Sequence, residues 1–368
     1  MTRSRLPFAV ALVAAAALVL AAAAAPSRTA RHLGQQATNQ ELIVVPFASR
    51  LGQANADTGV ALVFPTTQPG PQKVVVYGPG GYGLDLAAPP GTTIGTAGAG
   101  ATTSAGAVTL RGNIVVDSPT RYAADPAAIA CAGSSPHSTV WLLQLAAGAT
   151  SLTVPVFVDI ATGTDGGLGV FKLQMCFPAS DVPQALGGAP SGLRLGDVFL
   201  EPTKGLTNPP SLGAYVWRAF ITPYTPGTTT PNPAGTTEVR SIIPLPQVLT
   251  LKGRYEKSTK SFVLSGVLSL AGDTLAGVDV AIYGSTKSAV STFKRLTAVK
   301  TKTKGVYSHR RKAAKTMYFG SLVDEYFTGA RCDTGPSTAP AGCVQENVSI
   351  ETFSNLVAVK VPVKKKKK

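Results

Sequence analysis

The chain has 368 residues, of which only 14% are charged, and it carries 38 Gly, 28 Pro and a net charge of +15. That length is more than one ordinary core holds and points to two domains. The mixture of Thr, Val, Gly and Pro favours strands joined by turns and weighs against a helical protein. The charge is unevenly placed: residues 1–250 carry 13 Lys and Arg against 11 Asp and Glu, residues 251–368 carry 21 against 8. The excess belongs to the C-terminal third, and it calls for an anionic partner there.

The N-terminus, "MTRSRLPFAVALVAAAALVLAAAAAPSRTA", has the layout of an export signal. Arg3 and Arg5 are its positive start, Leu6 to Ala25 its apolar run, and Ala22-x-Ala24 its small-residue cleavage site. Residues 1–24 are read as a signal peptide cut after Ala24, because cutting after Ala25 would set Pro26 against the break. A retained anchor is the rival, since about 20 apolar residues can span a bilayer. Alanine is weakly hydrophobic, which favours cleavage. The expectation is an exported bacterial protein, secreted or held at the cell envelope.

Residues 25–37 are a polar lead-in, and residues 38–246 form the first expected domain. Short apolar runs such as "ELIVVPF", "KVVVYG", "SLTVPVFVDIA" and "AYVWRAFITPY" alternate with Gly, Pro, Ser and Asp. That spacing predicts an all-β sandwich or jelly roll. A Thr/Pro-rich stretch, residues 222–237, reads as a long exposed loop or a stiff spacer. In an oxidising compartment four cysteines are expected as disulfides. Cys131 with Cys176 and Cys332 with Cys343 is the simplest pairing, one bridge per domain.

Motifs that carry chemistry are thin. "GPGGYG", Gly78 to Gly83, matches a dinucleotide loop, but Pro89 and Pro90 follow where a helix would have to open, so it reads as a turn. A hydrolase could draw on His137, with Ser134, Ser135 or Ser138 and Asp125 nearby, yet triad members converge from separate elements and no G-x-S-x-G elbow is present. Asp159 and Asp165 are too few oxygens for calcium, and the cysteine spacings do not match zinc pairs. No cofactor and no metal are expected. Tyr215 and Trp217 share one strand face by the period of two. They are read as core, with stacking on a carbohydrate ring as the alternative.

The second expected domain, residues 247–363, begins "LTLKGRYEKSTKSFVLSGVLSLAGDTLAGVDVAIYG" and continues through "TKTKGVYS". The order is strand, Gly266, Gly272, Leu275-x-Gly277, alternating Val278, Val280 and Ile282, then Thr301, Gly305 and Tyr307. Residues 247–322 thereby resemble carboxypeptidase-regulatory-like and bacterial Ig-like sandwiches of transthyretin type. The resemblance implies a β-sandwich that acts as a structural or adhesive unit beside other domains. Where that family often has acidic residues in the Thr-to-Gly turn, this chain has Lys302 and Lys304.

The basic residues are the strongest signal. Lys300, Lys302 and Lys304 alternate, which predicts one strand face for all three. Arg310, Arg311, Lys312 and Lys315 follow, and the chain ends in Lys364, Lys365, Lys366, Lys367 and Lys368. These residues are read in two ways, as a solvated face with a solubility tail that discourages edge pairing, or as a docking surface for an anionic envelope polymer or lipid. Export and the lack of a recognisable motif argue against nucleic acid. The functional expectation is a non-catalytic structural or adhesion protein. A carbohydrate-binding protein is the first alternative and a secreted hydrolase the second.

Overall fold

The computed structural model describes residues 40–47, 49–65, 69–134, 136–288, 292–332 and 343–362, with backbone alone for 324–332 and 343–351. The signal segment, the polar lead-in and Lys364 to Lys368 lie outside the described residues. The described chain is all-β apart from one short α-helix and single 3-10 turns. Among the described residues no helix is long and apolar enough to cross a membrane. The described chain divides into two compact units: the first holds residues up to Leu245 together with 327–332 and 343–348, and the second holds residues 246–326 and 349–362.

The first unit contains β1 (Glu41–Pro46), β2 (Thr58–Val63), β3 (Pro71–Gly78), β4 (Gly83–Leu84), β5 (Thr93–Thr103), β6 (Gly106–Asp117), α1 (Pro126–Ala132), β7 (Thr139–Ala147), β8 (Thr150–Ile160), β9 (Phe171–Cys176), β10 (Arg194–Pro202), β11 (Leu206–Thr207), β12 (Gly213–Pro223) and β13 (Thr237–Leu245). Eleven of these strands make one continuous sheet in the order β1-β2-β10-β5-β6-β7-β8-β9-β3-β12-β13, every pairing antiparallel. Its two end strands meet. The Val44 N–H donates to Ser241 Oγ at 3.1 Å, and the Thr237 hydroxyl bonds the Gln40 side chain. The two layers of the sandwich are therefore one sheet turned back on itself.

The period of two decides which residues fill it. On β8, Leu152, Val154, Val156 and Val158 point inward; on β7, Trp141, Leu143 and Leu145; on β12, Tyr215, Trp217, Ala219 and Ile221. All join one core. The interior is filled by these facing side chains and is not a hollow barrel. Gly148, at φ +57°, takes the left-handed position in the two-residue turn between β7 and β8. On the outer surface α1 packs Ala128 against Val140 and Phe157. The Cys131–Cys176 disulfide, with Cα atoms 6.2 Å apart, ties that helix to β9.

The second unit contains β14 (Gln247–Leu249), β15 (Lys252–Glu256), β16 (Ser261–Leu270), β17 (Asp273–Thr274), β18 (Asp279–Ser285), β19 (Lys294–Lys300), β20 (Val306–Lys312), the first part of β21 (Met317–Cys332, up to residue 326), the last part of β22 (Cys343–Phe353, from residue 349) and β23 (Val357–Val359). One sheet is built on β16, with β14, β15, β17 and β20 as neighbours; the other runs β19-β18-β21-β22, with β23 on β21. The sheets face each other through Phe262 and Phe319, ring centroids 5.2 Å apart, and bury Leu264, Leu268, Val280 and Ile282. This is a β-sandwich, and the residues that carried the sequence resemblance build it. Thr301 Oγ1 accepts the Val278 N–H at 2.9 Å. Gly305 has φ +66°, and a Cβ there would lie 2.2 Å from the Leu268 carbonyl oxygen. Tyr307 is buried and its hydroxyl reaches Ser321 at 2.7 Å. Cys332 closes β21 and Cys343 opens β22, but their side chains and the 333–342 loop lie outside the described residues.

Candidate functional site

The candidate site is the outer face of β15, β16 and β20. Alternation buries Phe262 and Leu264 of β16 and puts Val263 and Ser265 on the opposite face, in line with Ser261, which is itself buried. Strand register then sets cations in rows across that face. Lys252 and Ser308 flank Ser265, Arg254 and Arg310 flank Val263, and Glu256 and Lys312 flank Ser261. Lys252, Arg254, Arg310 and Lys312 are all exposed. Each flanking pair is two strand spacings apart, about 10 Å.

Glu256 is the carboxylate among these rows. It accepts from Arg310, lies 3.6 Å from Arg254, and takes the Thr259 hydroxyl at 2.6 Å. The Thr259 hydroxyl and then the two guanidiniums hold its pKa below the ordinary carboxylate range. It stays ionised and holds both arginines. Lys257 and Lys260 extend the basic surface at the β15–β16 turn, where the Ala313 N–H bonds the Lys260 carbonyl just beyond β20. Lys252, Arg254, Lys257 and Lys260 went unread in the sequence. The signal was the alternation in "LKGRYEK", and only the pairing through β16 brings it beside Arg310.

The sequence-predicted cations are dispersed differently from expectation. Lys300, Lys302 and Lys304 do not form one strand face. β19 ends at Lys300, Thr301 turns inward to its bond with Val278, and residues 303–305 make a 3-10 turn with Lys304 at φ +61°. All three remain exposed, and Lys300 reaches Asp279 at 3.3 Å. Arg311 sits opposite Phe262, on the other side of β20 from Arg310 and Lys312. Beside it, burial and then the Arg311 charge hold the His309 pKa below its ordinary value. Lys315 is exposed beyond the end of β20.

The stacking alternative is corrected. Tyr215 and Trp217 are fully buried, and Trp217 packs edge-on against Tyr82 at 5.0 Å and Phe171 at 5.7 Å. Neither ring offers a face to a sugar. Tyr82 comes from "GPGGYG", which is a turn between β3 and β4 and opens no helix.

The remaining polar candidates engage one another or the backbone nearby. Asp125 caps α1 through the N–H groups of Ala127 and Ala128. His137 meets Asp159 instead, Nδ1 to Oδ2 at 2.9 Å, and the Ser138 N–H donates to the other oxygen of the same carboxylate. Ser134 is at the surface, and Ser135 lies outside the described residues. Asp165 accepts from the Tyr77 hydroxyl at 3.0 Å and Lys172 Nζ at 2.8 Å. Burial raises its pKa, but the bonds from Lys172 and Tyr77 outweigh that and hold it low. Among the described residues no three His, Cys, Asp or Glu side chains converge as a metal site.

No protein-family model matches the chain, and no curated protein matches it. Several solved structures resemble it faintly, two of them as follows. The D0–D1 domain of intimin is 8% identical over 88% of this chain and 98% of its own, with a TM-score of 0.20. BcpA, the major pilin subunit of Bacillus cereus, is 7% identical over 85% of this chain and 66% of its own, with a TM-score of 0.19. Scores of this size do not establish a shared fold, and the all-β assignment rests on the strand pairing itself.

Proposed function

We propose that this is an exported, non-catalytic structural or adhesion protein whose C-terminal sandwich docks to an anionic polymer or lipid surface of the cell envelope. The observation that carries the reading is the placement of Lys252, Arg254, Arg310 and Lys312 on one outer sheet face. Their backbones are held by the ladder, so docking costs the ordering of side chains alone. Four cations against one carboxylate leave three net charges, and at about 1 kcal/mol per charge at low salt the face supplies roughly a hundredfold in binding. The signal-like N-terminus and the Cys131–Cys176 bridge support an extracytoplasmic setting.

Co-sedimentation of the full chain with vesicles tests the reading. Vesicles rich in an anionic phospholipid should retain the protein at low salt, and zwitterionic vesicles should not. Replacing Arg254 and Arg310 with Glu should remove most of the retention and leave the far-ultraviolet spectrum unchanged. Equal retention of the two proteins would reject the face as the docking surface.

A further inference from the structure

A different observation lies in the first unit. Residues 49–57 form a strap that runs into β2. The Gly52 N–H donates to the Pro209 carbonyl at 2.8 Å, Ala56 N–H to Leu206 at 2.8 Å, and Asn208 N–H to Gln53 at 2.9 Å. Asn55 Oδ1 accepts the Gly205 N–H at 3.4 Å. Asn55 is also one wall of a cleft of about 330 Å³, whose other walls include Asp85, Ile94, Trp141 and Lys204.

The strap ends on a carboxyl pair. Asp57 and Glu201 of β10 carry carboxyl groups that the fold buries side by side. Register explains the meeting: Val60 pairs with Leu200, which sets Glu201 opposite Gly59, with Asp57 two residues away on the same face. Glu201 is 3% exposed. The Thr96 hydroxyl, from β5, bonds Glu201 Oε2 at 3.3 Å. Asp57 Oδ1 and Glu201 Oε1 are buried and take no donor from any other described group. Two carboxylates offer only acceptors, so a bond between them requires a proton. The charge of Asp57 acts on Glu201, and no cation among the described residues offsets the pair. Asp197, further along β10, is held separately by the Gly100 N–H.

We propose that the proton shared by Asp57 and Glu201 is a latch: it holds the strap against the end of the first sandwich, and its loss frees the strap and opens the cleft beside Asn55. Burial, and then the charge of Asp57, push Glu201 up to about 7, while burial pushes Asp57 up to about 6. Both folded pKa values lie above those of unfolded carboxyls. The sign follows: the folded state holds the extra proton, so the latch is complete in acid and is lost as pH rises through about 7.

Amide hydrogen exchange of the full chain, corrected for the intrinsic pH dependence of exchange, tests this. Protection at Gly52, Ala56, Gly205 and Asn208 should hold steady from weakly acidic pH to neutrality and then fall at least tenfold in mild alkali. Amides of β8 should keep theirs. Glu201→Gln supplies its own N–H donor to Asp57, and the fall should vanish. Asp57→Asn should act likewise, which keeps the test open if one variant misfolds. Strap protection independent of pH, a fall shared equally by β8, or an unchanged fall in a folded variant would each overturn the latch.

Discussion

Removing the Cys131–Cys176 bridge by Cys131→Ala with Cys176→Ala should destabilise the first unit alone. The bridge closes a loop of sequence separation 45. In the chain-entropy treatment a loop of that length restrains the unfolded chain by about 4 kcal/mol at 25 °C. For a unit of this size each kcal/mol moves the midpoint roughly 2–4 °C, so a fall of about 8–16 °C is expected. The chain has two tryptophans, Trp141 and Trp217, and both lie in the first unit's core. Tryptophan fluorescence during heating therefore follows that unit without the other. Reductant should lower the midpoint of the parent and leave that of the variant where it is. A variant that unfolds within a degree or two of the parent would refute the loop-closure reasoning. Peptide mapping without reductant completes the test: a Cys332–Cys343 peptide is expected alongside Cys131–Cys176.

Trp217→Ala should cost about 3–5 kcal/mol, because a fully buried indole leaves a cavity among Tyr82, Phe171 and Tyr215; denaturant unfolding reads it. Glu256→Gln should tighten binding to anionic vesicles about fivefold at low salt, since it removes the carboxylate that occupies Arg254 and Arg310. Weaker binding in that variant would mean that Glu256 orients the guanidiniums for the ligand instead of competing with it.

The strands were legible because alternation is local. The inward rows of β7, β8 and β12 can be read directly from "TVWLLQL", "SLTVPVFVDI" and "AYVWRAFITP". The single closed sheet was not legible. It depends on pairings such as β2 with β10 and β3 with β12, between segments more than a hundred residues apart, and no local pattern encodes a partner. The basic face shows both limits. Alternation was carried past Lys300 into a turn, where Lys304 has a left-handed backbone and the period of two no longer applies. Arg254 and Arg310 become neighbours only through β16, and neither residue announces the other. Tyr215 and Trp217 lie on one strand face as expected, but the period of two does not say which face is inside. Closure of the sheet does.

The central claim is that charge, held in place on β15 and β20 across β16 and joined by that of Lys364 to Lys368, attaches this protein to an anionic envelope surface. It is tested most directly by retention on isolated envelopes, comparing the intact chain with one ending at Val363, across a salt series. The account predicts retention at low salt for both, weaker for the shortened chain. Both should lose it as salt rises from about 0.1 M to about 1 M and the Debye length shrinks from about 10 Å to about 3 Å. Retention that salt does not change, or that is the same for both chains at every concentration, would contradict it.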